Sequence, residues 1–197
     1  FVDCTSDEKI AETYSKILEH SISIVTPNKV ANSGSYRQYS LLREKARMGN
    51  VRFMYETNVG AGLPVINTLN DLLSSGDMII RIEAVLSGTL SFIFNNFLEG
   101  NSFCDIVNEA RKRGYTEPDP RIDLSGKDVA RKLLILAREA GYEMEIKDII
   151  ISQILPASCL NAKNVDEFFV ELKKNDHVFE KMRKNAPVDV IKMIINS

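Results

Sequence analysis

Tryptophan is absent from these 197 residues, histidine occurs only twice and cysteine three times. Cys4, Cys104 and Cys159 are odd in number and widely spaced, and no C-x-x-C pair is present. With His20 and His177 as the whole histidine complement, no zinc-ligand spacing can be assembled. Reduced thiols in a cytoplasmic protein are the expectation. Excess charge of one sign is also lacking, since the formal net charge is -2. Nothing in that balance favours nucleic acid or an anionic membrane as a partner. No apolar run approaches the roughly 20 residues needed to span a bilayer, and the opening FVDCTSDEK is no signal peptide. Phe1 and Val2 are strand formers with no preceding turn, so the expectation is a chain entered in mid-fold, with an upstream portion elsewhere. No G-x-S-x-G is present, and neither histidine is accompanied by a buried acid and a nucleophile, so acyl-enzyme chemistry has little support.

What is there alternates regularly. FVDCT reads as the end of a buried strand, with Thr5 or Ser6 expected to cap the helix EKIAETYSKILEH, where Ile10, Tyr14, Ile17 and Leu18 recur at helical spacing. SISIVTP follows as a β-branched strand stopped by Pro27, then the helix YRQYSLLREKARM closed by Gly49, then the strand VRFMYET. Strand, helix and strand at these lengths make βαβ units of an open α/β sheet. Further on, VINTLNDLLSSG is a helix, MIIRIEAVLSG is expected to be a strong strand, and TLSFIFNNFLEG and NSFCDIVNEARKRG are helices. VARKLLILAREAG and VDEFFVELKKNDHVFEKMRKN are helices too, with His177 exposed on the latter. The division expected is residues 1–50, 51–165 and 166–197, the first being the tail of a doubly wound sheet.

Three stretches concentrate chemistry. GYTEPDPRIDLSGKDVARK, residues 114–132, gathers Glu117, Asp119, Asp123, Asp128, Arg121 and Lys132 within one turn-and-helix segment. One reading is local: Ser125 and Asp128 form an S-x-x-D capping box, and Asp128 with Lys132 is an i,i+4 pair worth about 0.2–0.5 kcal/mol on an exposed face. The other is functional. Pro118 and Pro120 stiffen the approach, and Leu133, Leu134, Ile135 and Leu136 make a helix buried on most sides, where Lys132 is partly desolvated and suited to proton transfer. In SIVTPNK, Lys29 stands at the carboxyl end of a strand, the edge where open α/β sheets take ligands, though a surface lysine at a turn has the same pattern. NVGAGLP and SGT are glycine-containing turns that fit either backbone ligation or plain tight turns and capping. NVGAGLP lacks the G-x-G-x-x-G spacing of a phosphate-binding fingerprint.

Together, VTPNK, YETNVGAGLPVI, LSGTLSFIFN and GYTEPDPRIDLSGKDVARKLLILAR closely resemble homoserine dehydrogenase in order and approximate separation, over residues 1 to about 183. The form with TPNK and FFVELKKNDHVFEKMR looks most like the dehydrogenase part of the bifunctional aspartokinase–homoserine dehydrogenases. The resemblance implies an α/β fold: the C-terminal part of a Rossmann-like parallel sheet, then an α+β substrate-binding and dimerisation domain with a mixed sheet. A C-terminal helix is expected to pack back on the nucleotide domain. The activity implied is reversible reduction of L-aspartate 4-semialdehyde to L-homoserine with NADP or NAD as cofactor, on the way to threonine and methionine, in a homodimer or higher homo-oligomer.

Carried over by motif position, Lys29 and Lys132 would be the catalytic lysines, and Thr26, Pro27, Asn28 and Lys29 would meet the cofactor. Glu117 and Asp123 would bind the substrate ammonium, aided by Gly88, Thr89 and Tyr115, while Asp128 would hold Lys132 and contact substrate. Glu56, Val59, Ala61 and Leu63 match a monovalent-cation site (Na+ or K+) built mainly from backbone carbonyls. The family's G-x-G-x-x-G turn is missing from these residues, and NAPVDVIKMIINS does not resemble its returning strand. A different class of function is therefore kept beside the enzyme: a module that dimerises or binds amino acids without turnover.

Overall fold

A computed structural model describes residues 1–185; the NAPVDVIKMIINS tail beyond Asn185 lies outside the described residues. In chain order the elements are α1 (Glu8–Glu12), α2 (Tyr14–Glu19), β1 (Ile24–Val25), α3 (Val30–Ser33), α4 (Tyr36–Met48), β2 (Phe53–Met54) and α5 (Val65–Ser74). Then come α6 (Gly88–Asn96), α7 (Phe103–Lys112), α8 (Pro120–Leu124), α9 (Lys127–Glu139), α10 (Ala157–Leu160), α11 (Val165–Lys174) and α12 (Asp176–Asn185). The chain forms two compact units. One comprises Phe1–Ile80 with Val129–Ile150, the other Arg81–Asp128 with the described residues from Ile151 to Asn185.

The first unit has the α/β character expected. β1 and β2 pair in parallel with Ile24 opposite Phe53, and Val2 adds a parallel bridge to Val25. Parallel neighbours require a helical crossover, and α1–α2 and α3–α4 supply them. Tyr14, Leu18, Ile24, Leu42 and Ala46 close on one another as the apolar core, each large side chain contributing about 1.5–3 kcal/mol by leaving water.

Its polar interior is as organised as its apolar one. Asp3 is buried, and its carboxylate accepts from the Thr5 N–H at 2.8 Å, the Thr5 hydroxyl at 2.7 Å, the Asn28 amide at 3.1 Å and the Tyr14 hydroxyl. Burial opposes its charge, but those hydrogen bonds outweigh burial and hold the carboxyl at about 2. Thr5 therefore serves Asp3, and Asp7 caps α1 by accepting from Lys9 N–H at 2.8 Å. The expected Thr5 or Ser6 cap is corrected for that reason.

At the end of α9, Glu139 is buried and accepts from the Tyr39 hydroxyl at 2.8 Å, the Tyr55 hydroxyl at 2.7 Å and the Arg43 guanidinium at 2.8 Å. Its neighbour Arg138 is buried too and donates to the carbonyls of Asn32 (2.9 Å), Gly34 (2.8 Å) and Met144 (2.9 Å) and to Glu145 at 3.2 Å. Burial, and then the charge of Glu139, push both Tyr39 and Tyr55 hydroxyls well above the ordinary tyrosine range. The two consecutive charged residues thus fasten α9 to α3, α4 and β2.

In the second unit α6, α11 and α12 all pack on α7. Phe103 at the start of α7 stacks on Phe179 of α12, with ring centroids 4.1 Å apart, and Phe168 and Leu172 of α11 are buried. His177 is exposed, as the stripe of α12 predicts.

Two further sequence expectations are overturned. The segment MIIRIEAVLSG carries no strand ladder among the described residues. Its β-branched composition suits a strand, but a strand exists only by pairing with a neighbour, and Met78 and Ile80 remain 78% and 82% exposed. Ser125 does not open a capping box for α9. It ends α8, a short helix that Asp119 caps and Pro120 begins; its hydroxyl donates to Ile122 O at 2.7 Å and accepts from Lys127 N–H at 3.3 Å, one residue out of register for the expected box. Gly126, at φ +70°, then turns the chain into α9.

Replacing Glu139 by Ala is expected to lower stability by about 3 kcal/mol, because it leaves two buried hydroxyls and a guanidinium without their acceptor. Urea denaturation of both proteins measures this. Asp3, with its pKa depressed in the fold, stabilises the protein above its unfolded value of 3.8, and that contribution is lost as pH falls toward about 2. The melting temperature of Asp3→Asn should therefore lie below wild type at pH 7 and approach it as the pH is lowered through that window.

Candidate functional site

The second unit draws several of the motif residues together. Ser87 caps α6 by accepting from Leu90 N–H at 3.2 Å, which leaves Gly88 and Thr89 in the exposed first turn. Its chain neighbours and own helix backbone aside, no atom of the described residues lies within 4 Å of where a Cβ of Gly88 would stand, so the backbone there is open to approach. At the end of α7, Gly114 (φ +72°) allows Tyr115 N–H to reach back to Ala110 O at 2.9 Å. That turn sets the Tyr115 ring edge-on to Phe92, with centroids 4.9 Å apart.

The Thr89 hydroxyl has Tyr115 O and Asp123 Oδ1 (3.1 Å) as acceptors; its one hydrogen serves one of them at a time. The other carboxylate oxygen, Asp123 Oδ2, accepts from Glu117 N–H at 2.9 Å. Asp123 on α8 therefore staples the Tyr115–Glu117 loop to α6. Among the described residues the exposed Glu117 carboxylate has no ion-pair partner.

Asp119 and Arg121 stand apart from this group. Their side chains pair by several hydrogen bonds, with Arg121 also donating to Ala162 O and lying over the Phe168 ring at 5.9 Å. The Arg121 guanidinium holds the Asp119 carboxyl below its usual range. This pair anchors the loop. Asp128 is exposed in the first turn of α9, and Lys132, one turn on, is half-buried.

In the first unit the four residues at the end of β1 divide by direction. Thr26 and Asn28 are buried, and their side chains are engaged inward: Thr26 Oγ1 accepts from Tyr14 OH and Asn28 N–H, both at 2.9 Å, and Asn28 Oδ1 accepts from Val30 N–H at 3.1 Å. Pro27 is exposed and Lys29 half-buried at the carboxyl end of the parallel strand.

The turn after β2 is shaped for carbonyl donors. The Glu56 carboxylate caps α5, accepting from Ile66 N–H at 2.8 Å and Asn67 N–H at 2.9 Å, so its side chain is committed. Gly60 and Ala61 have φ of +82° and +53°. A side chain at Gly60 would also stand 2.5 Å from Val65 Cγ2, so glycine is required there. Among the described residues the Val59 and Ala61 carbonyls accept no hydrogen bond, and Leu63 O accepts only from Val65 N–H at 2.9 Å. Hard oxygen donors of this kind suit an alkali cation. No cluster of three or more His, Cys, Asp or Glu side chains fit to hold a metal occurs among the described residues.

Sequence reasoning missed Arg138, Glu139, Asn32 and Asn58, all buried. A signal existed for the charged pair: Arg138 and Glu139 fall four residues after Leu134 and Ile135, on the buried stripe of α9. Nothing in the sequence distinguished the two asparagines from turn residues.

A family profile described as homoserine dehydrogenase matches residues 64–195, and one described as homoserine dehydrogenase, NAD binding domain, matches residues 1–56. The first runs through most of the tail that the sequence reading had set apart. The chloroplastic bifunctional aspartokinase/homoserine dehydrogenase 2 of Zea mays is 49% identical over 94% of this chain, which spans 20% of that protein. A crystal structure of a Candida auris protein of unknown function aligns with a TM-score of 0.89 at 38% identity, over 93% of this chain and 53% of that one. A hyperthermophilic archaeal homoserine dehydrogenase in complex with NADPH aligns with a TM-score of 0.63 at 34% identity, over 71% and 42% of the two chains. The chain thus covers a fifth of its maize relative and about half of its Candida auris neighbour. With the profiles spanning both the β1–β2 region and the Thr89–Asp123 motifs, the chain belongs to the homoserine dehydrogenase family.

Proposed function

We propose that these residues are the substrate-handling portion of a homoserine dehydrogenase, which interconverts L-aspartate 4-semialdehyde and L-homoserine. The observation that carries this reading is the Thr89–Asp123–Glu117 network, which brings two separated motifs together around one carboxylate pair. Glu117 and Asp123 take the substrate ammonium, with Gly88, Thr89 and Tyr115 beside them. Lys29 and Lys132 serve the reacting oxygen, and Asp128 orients Lys132.

A nicotinamide dinucleotide, NADP or NAD, supplies or accepts the hydride when bound. Pro27 and Lys29, at the carboxyl end of β1, are the residues that would meet it. Negative charge grows on the aldehyde oxygen as the carbonyl is reduced. A lysine ammonium stabilises that oxyanion and then donates the proton that completes the alcohol. In the oxidising direction the same amine accepts the proton. Glu56, Val59, Ala61 and Leu63 hold a monovalent cation through main-chain oxygens, which keeps the turn after β2 rigid. The protein works in a reducing, aqueous compartment, with Cys4, Cys104 and Cys159 free. No helix among the described residues is long and apolar enough to cross a membrane.

The full-length protein is expected to oxidise homoserine with NADP or NAD, and Lys132→Ala or Lys29→Ala to lower kcat by about 10²–10⁴. Unchanged turnover in Lys132→Ala would sink the assignment. The working unit is a homodimer or larger homo-oligomer that covers the apolar residues 78–86. Leaving Ile80 and Ile150 82% and 94% exposed is unfavourable in water. Ile80→Glu is expected to shift the protein toward monomer in sedimentation velocity; an unaltered oligomer would remove this face from the interface.

A further inference from the structure

Asn32 is fully buried, and its side-chain oxygen accepts no hydrogen bond among the described residues. Buried polar atoms are nearly always paired, so an unpaired one calls for a reason beyond filling the core. Its remaining bonds supply that reason. The Asn32 amide donates to Asn58 Oδ1 at 2.9 Å, and the Asn58 amide donates to Thr26 O at 3.2 Å. Asn58 is itself buried and immediately precedes the turn of positive-φ residues Gly60 and Ala61. The Asn32 carbonyl accepts from Arg138 at 2.9 Å. Asn32 therefore joins two segments directly, the turn after β2 by its side chain and the last turn of α9 by its main chain, and reaches the end of β1 through Asn58.

The segments matter because of what they carry. Asn32 lies three residues after Lys29, in the short helix that Lys29 precedes as the cap residue and whose first turn is closed by Ser33 N–H donating to Lys29 O at 2.8 Å. Arg138 lies six residues after Lys132, a rise of about 9 Å along α9. We propose that Asn32 is a positioning residue for the reaction: with Asn58 it couples the order of the carbonyl-lined turn to the placement of Lys29, and through Arg138 to that of α9. This rests on the homoserine dehydrogenase reading above. It adds that the turn and the lysines are one mechanical unit, so that filling the turn with a cation tightens the lysine segment as well. A rigid supporting shell of this kind holds reacting groups within the narrow tolerance catalysis needs.

The test uses the full-length enzyme with Asn32→Ala, Asn58→Ala and the double variant, following homoserine oxidation while NaCl or KCl is titrated. Each single variant is expected to lower kcat by about tenfold or more, to change KM for homoserine by less than about threefold, and to raise the salt needed for half-maximal rate. The double variant should be no slower than the slower single one, as for two links of one chain. A kcat within about twofold of wild type, an unaltered cation response, or multiplying losses in the double variant would each overturn the proposal. Should Asn32→Ala fail to fold, Asn32→Ser and Asn58→Ser are judged by the same criteria. If the wild-type enzyme does not oxidise homoserine, the reaction assignment fails. In either case the coupling is also read, independently of turnover, from amide hydrogen exchange at Gly60–Gly62, which should speed up about tenfold or more in Asn32→Ser. Unchanged exchange there would overturn it.

Discussion

The burial of Arg138 and Glu139 in succession is the constraint on which the first unit depends. Two opposite charges cannot leave water without partners of good geometry, and α9 offers them none of its own kind. Glu139 also sits at the negative end of its helix, where a carboxylate is disfavoured. The solution is to bring the partners in from elsewhere: Tyr39 and Arg43 from α4, Tyr55 after β2, and the carbonyls of Asn32 and Gly34. A segment a hundred residues later in sequence is thereby fixed against the parallel strands. That helix also bears Lys132, so the same burial fixes the backbone that carries this lysine.

The second unit reaches order by different means. Its core is aromatic and aliphatic, with Phe103 and Phe179 stacked between helices. Its polar organisation centres on the half-buried Asp123, whose two oxygens bind different segments. Asp119, two residues from Glu117, has the same side-chain chemistry as Asp123 but a different task, because Arg121 neutralises and anchors it. Which carboxylates remain open to a ligand is decided by which ones already have a cation beside them.

Local pattern carried the sequence reading a long way. The helical stripes of α4, α7 and α11, the closing glycines at 49 and 114, and the parallel strands around Ile24 and Phe53 all follow from periodicity and turn chemistry. Where the reading failed, two local devices competed. Thr5 is a good cap by type, but Asp3 took its hydroxyl and left the cap to Asp7. Ser125 with Asp128 fits a capping box, but a short helix started by Asp119 and Pro120 ended at that serine first. The apolar run 78–86 has the propensity of a strand, and propensity cannot supply a neighbour.

By itself the sequence determined the α/β class, most helix limits and the family to which the chain belongs. Those rest on spacing, turn residues and motifs that act over a few positions. Tertiary structure alone decided which polar groups are buried together. Asn32 and Asn58 are 26 residues apart, Tyr39 and Glu139 are 100 apart, and no local rule links such pairs. Their pairing exists only because burial forces every desolvated donor and acceptor to find a partner wherever the fold brings one.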